Sequence, residues 1–411
     1  MFSEIIKQQG WSKYREKQIN RGVFVELVNN WQEITSLPRE IRDYLDDNVP
    51  FCSLKLVREQ VSKNNDTVKA LFELADGNMI ESVLMMHADR NTVCVSSQVG
   101  CPVGCTFCAT GAMGFKRNLT SREIVDQVLW WARKARNFQF PNPSFKKISN
   151  DQTDTVGATL AVARNGDIVG ADQCVRPDLS SVGAGSPRPS MDIFRANISR
   201  VNGNTAKGGE TPPQRVNNIV FMGMGEPMMN LENVADAITV LTDKEKFGIS
   251  KRKITISTSG YIANLDKLLK QFPHIGLAIS LHAPTQELRE KIMPTAAKNN
   301  PLDKLIDLVA DYSRKTKRRV SFEYILIEKV NDDLIQAQQL AKLLSNKGFL
   351  FHVNLIAFNA DKKNGAQKYS RPNSQRVNFF RDELIKLKVP VSIRSSMGED
   401  IAAACGQLAN N

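Results

Sequence analysis

Long hydrophobic runs are absent from this sequence of 411 residues. No stretch of about 18 uninterrupted apolar residues occurs, which argues against a transmembrane helix. The first residues, MFSEIIKQQGWSKYREKQ, lack both an apolar segment and a small-residue cleavage site, so we predict no signal peptide. These absences favour a cytoplasmic protein that does not associate with a membrane.

Cysteine is present, but not in the pattern of a disulfide-stabilised protein. The seven cysteines are an odd number, three of them are clustered between residues 101 and 108, and the chain is large. Small secreted domains with an even cysteine count are the usual disulfide frameworks. Metal ligation or thiol chemistry in a reducing compartment fits this cysteine usage better.

Acidic residues are outnumbered, since 55 Lys and Arg face 43 Asp and Glu and give a net charge of +12. Such a balance favours a polyanionic partner such as a nucleic acid. A basic surface that only maintains solubility is the alternative. The basic runs that could contact phosphates are Lys116–Asn118, Lys251–Lys253 and Lys315–Arg319.

Apolar strands alternate with helical segments from about residue 90 onwards. The strand-like runs are, in order, TVCVSSQ, NNIVFMGMG, KITISTSG, IGLAISLHAP, RRVSFEYILI, FLFHVNLIAFN and PVSIRSSMG. Strands joined through helices imply a parallel sheet with right-handed crossovers. We therefore predict an α/β fold built on a partial (β/α)6 barrel, with the functional site at the C-terminal ends of its strands.

Two segments depart from this alternation. WSKYREKQI and LPREIRDYLDD are polar and helix-prone, which predicts a small helical accessory domain over 1–75 before a core over 76–411. Residues 141–214 are rich in Gly, Ser, Asn, Asp and Pro, and we predict a disordered insert within the core. One hairpin is predicted inside the insert at Asn165-Gly166, and we expect Cys174 there to be incidental.

The stretch CPVGCTFCAT places Cys101, Cys105 and Cys108 at spacings of four and three residues. Structural zinc and iron–sulfur clusters usually take four protein ligands, and no nearby Cys or His completes this set. A cluster held by three thiolates would leave one iron open to another ligand. The spacing favours iron–sulfur ligation, with zinc or a chance arrangement as the alternatives.

The Cys-x3-Cys-x2-Cys loop follows the first strand of the predicted barrel and has Phe107 before its last cysteine. This combination resembles the radical S-adenosylmethionine (SAM) superfamily. The resemblance implies that Cys101, Cys105 and Cys108 hold a [4Fe–4S] cluster whose open iron binds the amino and carboxylate groups of SAM. Reduction of the cluster then cleaves SAM to a 5′-deoxyadenosyl radical, while the protein positions and shields the reactants.

Further passages narrow the resemblance to one subfamily. VSSQVGCPVGCTFCATGAMGF, VFMGMGEPMMNLENV, ITISTSG, LAISLHAP, HVNLIAFN and AAACGQL are similar, in this order, to the bacterial adenine-C2 RNA methyltransferases. The resemblance covers nearly the whole chain except the insert. The sister enzymes that methylate adenine C8 and confer antibiotic resistance share most of these motifs and remain the alternative.

The subfamily resemblance also implies substrates and partners. The expected reaction is methylation of C2 of adenosine 2503 in 23S rRNA, at the peptidyl-transferase centre, and of adenosine 37 in tRNA. It would consume two SAM molecules per turnover and draw electrons from a reductant such as flavodoxin or ferredoxin. The helical domain over 1–75 would bind RNA, and the enzyme would be a monomer.

Three residues match the positions that carry out methyl transfer in this subfamily. Cys405 in ACGQL matches the cysteine that is methylated by a first SAM. Cys94 in TVCVSSQ matches the cysteine that later forms a transient disulfide with it, although a cysteine in a core strand is more often a small hydrophobe. Glu81 in GNMIESVLM matches the proton acceptor, although it could as easily lie on the solvent face of a strand.

Seven more residues match the positions that contact SAM in the subfamily. Each lies at the C-terminal end of a predicted strand, where ligands of a βα barrel bind. The matching residues are Gly225, Glu226, Ser257, Ser280, Leu281, His282 and Asn359. A different class of function remains open, namely a basic RNA-binding protein whose cluster is only structural. The presence of both Cys94 and Cys405 disfavours it, because a protein that only binds RNA has no use for that pair.

Overall fold

One large sheet organises the molecule in the computed structural model, which describes residues 2–87, 89–137, 216–359 and 369–409. The described residues belong to a compact unit spanning Met1–Ser144 and Pro213–Asn411. Its strands are β1 (Leu54–Val61), β2 (Thr67–Leu74), β3 (Met79–Met86), β4 (Asn91–Cys94), β5 (Gln98–Gly100), β6 (Phe115–Asn118), β7 (Val216–Phe221), β8 (Ile254–Thr258), β9 (Gly276–Ser280), β10 (Val320–Leu326), β11 (Phe351–Ala357) and β12 (Val391–Ile393).

Seven parallel strands form the main part of this sheet. In the described part of the chain, β4, β7, β8, β9, β10, β11 and β12 follow one another and each pairs in parallel with the next. Each of them corresponds to a strand predicted from the sequence. The α/β fold with a partial barrel is confirmed, and the C-terminal ends of these strands lie along one edge.

An antiparallel extension continues the sheet beyond β4. Strands β1 to β3 pair in sequence with one another, and β3 pairs with β4. The turn at Asp76-Gly77 joins β2 and β3, and Gly77 takes the positive φ of 78° that favours glycine. The proposed boundary at residue 75 falls inside this hairpin, so β1 and β2 belong to the sheet of the core.

Helices connect the parallel strands and precede the sheet. They are α1 (Ser3–Gln8), α2 (Lys13–Asn20), α3 (Arg39–Asn48), α4 (Ala109–Ala112), α5 (Ser121–Asn137), α6 (Leu231–Thr242), α7 (Ile262–Gln271), α8 (Gln286–Ile292), α9 (Pro294–Asn299), α10 (Leu302–Thr316), α11 (Leu334–Ser345) and α12 (Ser374–Lys386). The predicted insert over 141–214, its hairpin at Asn165-Gly166 and Cys174 lie outside the described residues. None of the described helices is both long and apolar enough to cross a membrane.

Strand β8 illustrates how the pattern of side chains builds the barrel. Ile254 and Ile256 are buried, whereas Thr255 and Ser257 are half-buried and line cavities. Alternating side chains point to opposite faces of a strand, so one set packs under the helices and the other lines the interior. The interior of this partial barrel is therefore polar and accessible.

Aromatic residues beside the N-terminal helices pack against one another and against the core of the protein. Phe2 and Trp31 pack edge to face with ring centroids 5.6 Å apart, and Phe24 packs against Phe247 at 5.5 Å. Phe247 follows α6 of the core. Aromatic contacts therefore fasten the helical module to the core.

Candidate active site

The cysteine loop is fixed to its surroundings by main-chain hydrogen bonds. It follows the short strand β5, which pairs with β6 on the other side of the loop. The loop's anchors are the bonds from Cys101 N to Gly114 O (2.9 Å), from Thr106 N to Ile292 O (3.0 Å) and from Ala109 N to Gly406 O (2.8 Å). The last of these joins the loop to the C-terminal segment that carries Cys405.

Gly100 permits the turn into this loop, and its replacement tests how tightly the loop is held. Gly100 has a φ of 72°, and an added Cβ would lie 1.8 Å from Gly114 O. Gly104, in the same loop, has a φ of 61° but nothing within 4 Å of the added atom. We expect Gly104→Ala to lower the free energy of unfolding by about 1–2 kcal/mol, because alanine is strained in the left-handed backbone conformation.

Gly100→Ala should lower the free energy of unfolding by more than Gly104→Ala does, because its clash with Gly114 O cannot be relieved without breaking the β5–β6 pairing. Thermal unfolding and iron content after anaerobic reconstitution measure both effects. We expect Gly100→Ala to unfold at a lower temperature and to bind less iron than Gly104→Ala. Equal behaviour of the two variants would show that this turn does not fix the loop.

The three thiols of the loop line one cavity of about 150 Å³. The residues predicted to contact SAM that line the same cavity are Gly225, Glu226, Ser257, Ser280 and His282. They come from the ends of β7, β8 and β9, so the parallel sheet brings them to the cysteines. The predicted clustering of these residues is present in the structure.

Burial makes the cysteines of the loop weak acids in the absence of a bound cation. It raises the pKa of Cys101 to about 12 and raises the pKa values of Cys105 and Cys108 as well, with further contributions from the neighbouring thiols. Thiolates ligate iron, so loading of this loop would release protons. No three Cys, His, Asp or Glu side chains among the described residues converge on a single-ion site.

Glu226 is buried beneath this cavity and its carboxylate is hydrogen-bonded on both oxygens. The donors are Met228 N (3.0 Å) and Thr258 Oγ1 (2.6 Å) to Oε1, and Ser259 N and Oγ (both 2.7 Å) to Oε2. Burial nevertheless raises its pKa. The carboxylate thus fixes the ends of β7 and β8 relative to one another.

Gly225 precedes this carboxylate at a point where no larger residue fits. Its φ is 99°, and an added Cβ would lie 2.5 Å from the Cβ of Gln98. Gln98 Oε1 in turn accepts a hydrogen bond from Glu226 N at 2.8 Å. The sequence did not single out Gln98, which joins the strand before the cysteine loop to the turn after β7.

His282 presents one ring N–H to the cavity. Its Nδ1 accepts from Ile325 N at 3.0 Å, so Nε2 carries the proton of the neutral ring. Burial lowers the pKa of His282 to about 3, and nearby Arg289 adds to the effect. The ring packs edge to face on Phe107 of the cysteine loop, with centroids 5.0 Å apart. His282 is therefore a neutral donor beside the loop.

Two of the residues predicted to contact SAM, Leu281 and Asn359, do not line the cysteine-loop cavity. Leu281 is fully buried. Asn359 is also buried, and its Oδ1 accepts from Ser396 Oγ at 3.1 Å and from Arg371 Nη1 at 3.3 Å. Its Nδ2 is buried and meets no acceptor within the described residues. Any direct contact of these two side chains with a ligand stays a prediction.

Cys405 lies where the cysteine-loop cavity meets a larger one of about 760 Å³, because it lines both. Cys94, the last residue of β4, lines the larger cavity. Burial raises the pKa of Cys94 to about 12, and the nearby Cys405 contributes. Residues that are 311 positions apart in the chain are thus neighbours at the site.

Glu81 lines neither cavity. It is fully buried on β3, with Lys69 Nζ 2.8 Å from its Oε1 and the main-chain Ala409 N 3.0 Å from its Oε2. Lys69 is also buried and donates to Ala402 O at 3.2 Å. The ion pair thus joins the β2–β3 hairpin to both ends of the segment that carries Cys405.

Two charged residues that the sequence did not point out face the same junction as Cys405. Glu323 on β10 and Arg394 after β12 line both cavities, and Arg394 Nη1 lies 3.5 Å from Glu323 Oε2. The nearby Cys405 raises the pKa of Arg394, with smaller effects from Glu323 and Cys94. The sequence carried one signal for them, since Glu323 is the only charged residue within β10 and Arg394 directly follows the short strand β12.

Comparison with known proteins agrees with this geometry. The radical SAM superfamily model matches residues 212–341. The "Probable dual-specificity RNA methyltransferase RlmN" of Thermus thermophilus is 37% identical over 396 residues, which are 96% of this chain and 89% of that protein. The chain belongs to the RlmN family. A "Ribosomal RNA large subunit methyltransferase N" of Nitrosopumilus maritimus is 34% identical over 413 residues, covering 98% of this chain and 95% of that protein.

A solved structure supports the same assignment to the RlmN family. The crystal structure of a radical SAM methyltransferase from Sphaerobacter thermophilus matches with a TM-score of 0.77 and 35% identity, over 99% of this chain and 96% of that one. An RlmN-type enzyme of the radical SAM superfamily uses SAM and a [4Fe–4S] cluster. The donor set fits such a cluster, because three thiols face one cavity and leave a fourth coordination position for another ligand.

Proposed function

We propose that this chain methylates C2 of adenosine in 23S rRNA, at position 2503, and in tRNA, at position 37. The observation that carries the proposal is the place of Cys405 between the cysteine-loop cavity and a second cavity of a size usual for small-molecule sites. The printed names of the relatives from Thermus and Nitrosopumilus support RNA as the substrate class.

Two groups of residues would hold the cofactors. Cys101, Cys105 and Cys108 would ligate the cluster, and the SAM contacts would come from Gly225, Glu226, Ser257, Ser280, Leu281, His282 and Asn359. When bound, the cluster and the second of two SAM molecules supply the radical that removes a hydrogen atom from a methyl group on Cys405. The His282 N–H would contribute a neutral donor for an anionic group.

The chain's own residues would carry the methyl group to the base. Adenine C2 has no lone pair, so direct transfer from a sulfonium is disfavoured. Once a hydrogen atom has been removed from a methyl group on Cys405 Sγ, the remaining methylene carbon can form the carbon–carbon bond to C2, which leaves RNA joined to the enzyme through a thioether. Glu81 would take the C2 proton and one electron would pass from the adduct to the oxidised cluster. The Cys94 thiolate would then break the thioether by attacking Cys405 Sγ, which forms a transient disulfide and leaves the methyl carbon of the base to be protonated.

This sequence of steps requires movement of the C-terminal segment. Glu81 is covered by Ala409, so the hydrogen bond from Ala409 N must open before the carboxylate can reach a substrate proton. The disulfide must then be reduced before another turnover. We propose that a flavodoxin or ferredoxin supplies the electrons and that the enzyme works as a monomer in the cytoplasm.

Contacts with RNA would come from the helical module and from basic residues around the larger cavity. Arg252 and Lys253 line that cavity. Arg117, from another basic run, is already paired with Asp76 and Glu123 and is less available to a phosphate. The target adenosine would enter flipped out of its stack, since C2 chemistry needs an accessible ring.

Nucleoside mass spectrometry tests the proposed function. Ribosomal RNA and tRNA would be taken from a host that lacks its own enzyme and expresses this one. We expect 2-methyladenosine in both pools, and finding it only in rRNA would narrow the substrate. Finding 8-methyladenosine would support the sister activity instead, and finding neither would contradict the proposal.

The raised pKa of Cys94 predicts a pH dependence for release of RNA. Burial disfavours the thiolate, so the thiol is protonated at neutral pH, and the thiolate fraction rises about tenfold per pH unit below the pKa. We expect decay of the covalent RNA–enzyme intermediate to accelerate by about tenfold per pH unit, or about 100-fold between pH 7 and 9. Pulse labelling followed by denaturing electrophoresis measures the decay. A rate that does not change over this range would contradict attack by the Cys94 thiolate.

A further inference from the structure

The junction between the two cavities has a distinct composition. The residues that line both cavities are Met222, Glu323, Ile356, Arg394, Cys405 and Leu408. Apart from Cys405, three of them are apolar and two are charged. Apolar side chains that flank a charged pair suit a flat heteroaromatic ring, whose faces are apolar and whose edge is polar.

The charged pair is incompletely satisfied by the protein. Glu323 is 5% exposed, and its Oε1 accepts from Asn354 Nδ2 at 2.8 Å. Its Oε2 faces Arg394 Nη1 at 3.5 Å, which is longer than a normal charge-assisted hydrogen bond. Within the described residues, the other hydrogen bond of the Arg394 head group goes from Nη1 to Met222 Sδ, at 3.7 Å.

Counting only partners in the described part of the chain, the guanidinium therefore has donors to spare, and the carboxylate has an acceptor position to spare. The Arg394 side chain is 34% exposed, so its head group is reachable from the cavities. Burying charges is costly unless they are hydrogen-bonded, and a polar ligand lying alongside the pair and bonded to both groups would complete it. The ligand must offer a donor next to an acceptor.

We propose that the junction binds the target adenine of RNA, with Glu323 accepting a hydrogen bond from the N6 amino group and Arg394 donating one to N1. The inference rests on the proposed function and specifies how its substrate is read. Adenine carries a donor at N6 beside an acceptor at N1, which complements a carboxylate beside a guanidinium. Met222, Ile356 and Leu408 would cover the faces of the ring.

This orientation explains which carbon is methylated. C2 adjoins N1, so a base held by Arg394 at N1 presents C2 beside the residue that shares the junction, Cys405. The opposite edge of adenine also has an acceptor, N7, next to N6, and binding through N7 would present C8. The ring nitrogen that Arg394 contacts would therefore set the regiochemistry.

Two sources of adenine reach this enzyme, because SAM also contains the ring. We assign the junction to the RNA base because the sulfur of Cys405 must contact the carbon that it methylates. SAM affinity, and RNA-independent formation of 5′-deoxyadenosine, should then be unchanged in variants of the pair. If either were reduced tenfold or more, the junction would belong to the adenine of SAM and the inference would be wrong.

The test uses RNAs that carry a single modified purine at the mapped target position. They contain adenosine, purine riboside without the N6 amino group, 1-deazaadenosine without N1, or 7-deazaadenosine without N7. With the wild-type enzyme we expect purine riboside and 1-deazaadenosine to lower kcat/KM about 10- to 100-fold, since a hydrogen bond to a charged partner is lost. The 7-deaza substrate should react at nearly the wild-type rate.

The variants Glu323→Gln and Arg394→Gln make the test specific. Removing N1 also changes the chemistry of the ring, so the coupling between each variant and each analogue decides the result. We expect Arg394→Gln to lower kcat/KM about 10-fold or more on adenosine but little on 1-deazaadenosine. Glu323→Gln should likewise lower it on adenosine but little on purine riboside. Glu383→Gln on α12 is the matched control and should behave as wild type, because this carboxylate pairs with Lys386 and lines neither cavity.

Three outcomes would overturn the inference. Equal losses on all four RNAs in both variants would make the pair structural. Sensitivity of the wild-type enzyme to 7-deazaadenosine rather than 1-deazaadenosine would place the contact at N7. If the wild-type enzyme methylated purine riboside and 1-deazaadenosine as well as adenosine, hydrogen bonds to N6 and N1 would be excluded, and no variant would be needed to show it. Failure of the proposed function is distinct, because the wild type would then form no methyladenosine on the unmodified RNA.

Discussion

Cys94→Ala is expected to leave the enzyme covalently joined to its RNA after a single reaction. Cys94 lines the larger cavity next to Cys405, and it is the only other cysteine among the described residues that does so. Without it, the thioether between Cys405 and the base has no thiol to break it. Multiple turnover should be lost, and up to one RNA per chain should remain bound through denaturing electrophoresis.

Three further variants control this experiment. Cys405→Ala, alone or combined with Cys94→Ala, should form no adduct, because the sulfur that attaches to RNA is gone. Cys52→Ala is matched in chemistry, since Cys52 is a partly buried thiol that lines neither cavity, and it should turn over normally. Equal adduct formation by the Cys94 and Cys405 variants would contradict their separate roles.

Removal of one cysteine from the loop is expected to abolish all SAM chemistry. Cys105→Ser leaves two thiols in the cavity, and a serine hydroxyl is a poor ligand for iron. We expect iron and sulfide per chain to fall sharply after anaerobic reconstitution, with neither 5′-deoxyadenosine nor methylated RNA formed. Cys52→Ala again serves as the control with a full cluster.

Measuring thermal unfolding together with iron content and SAM cleavage separates loss of the cluster from misfolding. Thermal unfolding of the reconstituted Cys105→Ser protein should still be cooperative, since the sheet is independent of the loop. A Cys105→Ser enzyme that kept its iron and cleaved SAM would contradict the assignment of Cys101, Cys105 and Cys108 as the ligand set. Failure of Cys52→Ala as well would point to a general requirement for thiols.

The parallel strands were predictable because each is an apolar run between helices, and the structure contains all seven. Strand β1 was not predicted, and its burial explains why. It is the edge strand of the sheet and its side chains are mostly exposed, so it lacks the apolar pattern of a core strand. Helix α10 was not predicted either, although buried Leu305, Ile306 and Val309 mark an amphipathic pattern.

The candidate site likewise contains residues that the sequence could indicate and contacts that it could not. Motifs at strand ends pointed to Gly225, Glu226 and His282, because parallel strands bring their C-terminal ends together. The partnership of Glu323 with Arg394 and the hydrogen bond from Ala409 N to Glu81 depend on the curved sheet and on the path of the C-terminal segment. Such contacts are tertiary, and no local pattern in the sequence reports them.

The measurement that tests the central claim most directly is peptide mass spectrometry of the purified enzyme. The claim is that the methyl group travels to RNA through Cys405. Enzyme incubated with SAM without RNA should yield a Cys405 peptide heavier by one methylene group. This extra mass should disappear after RNA is added under reducing conditions. An unmodified Cys405 in an enzyme that still methylates RNA would contradict the account.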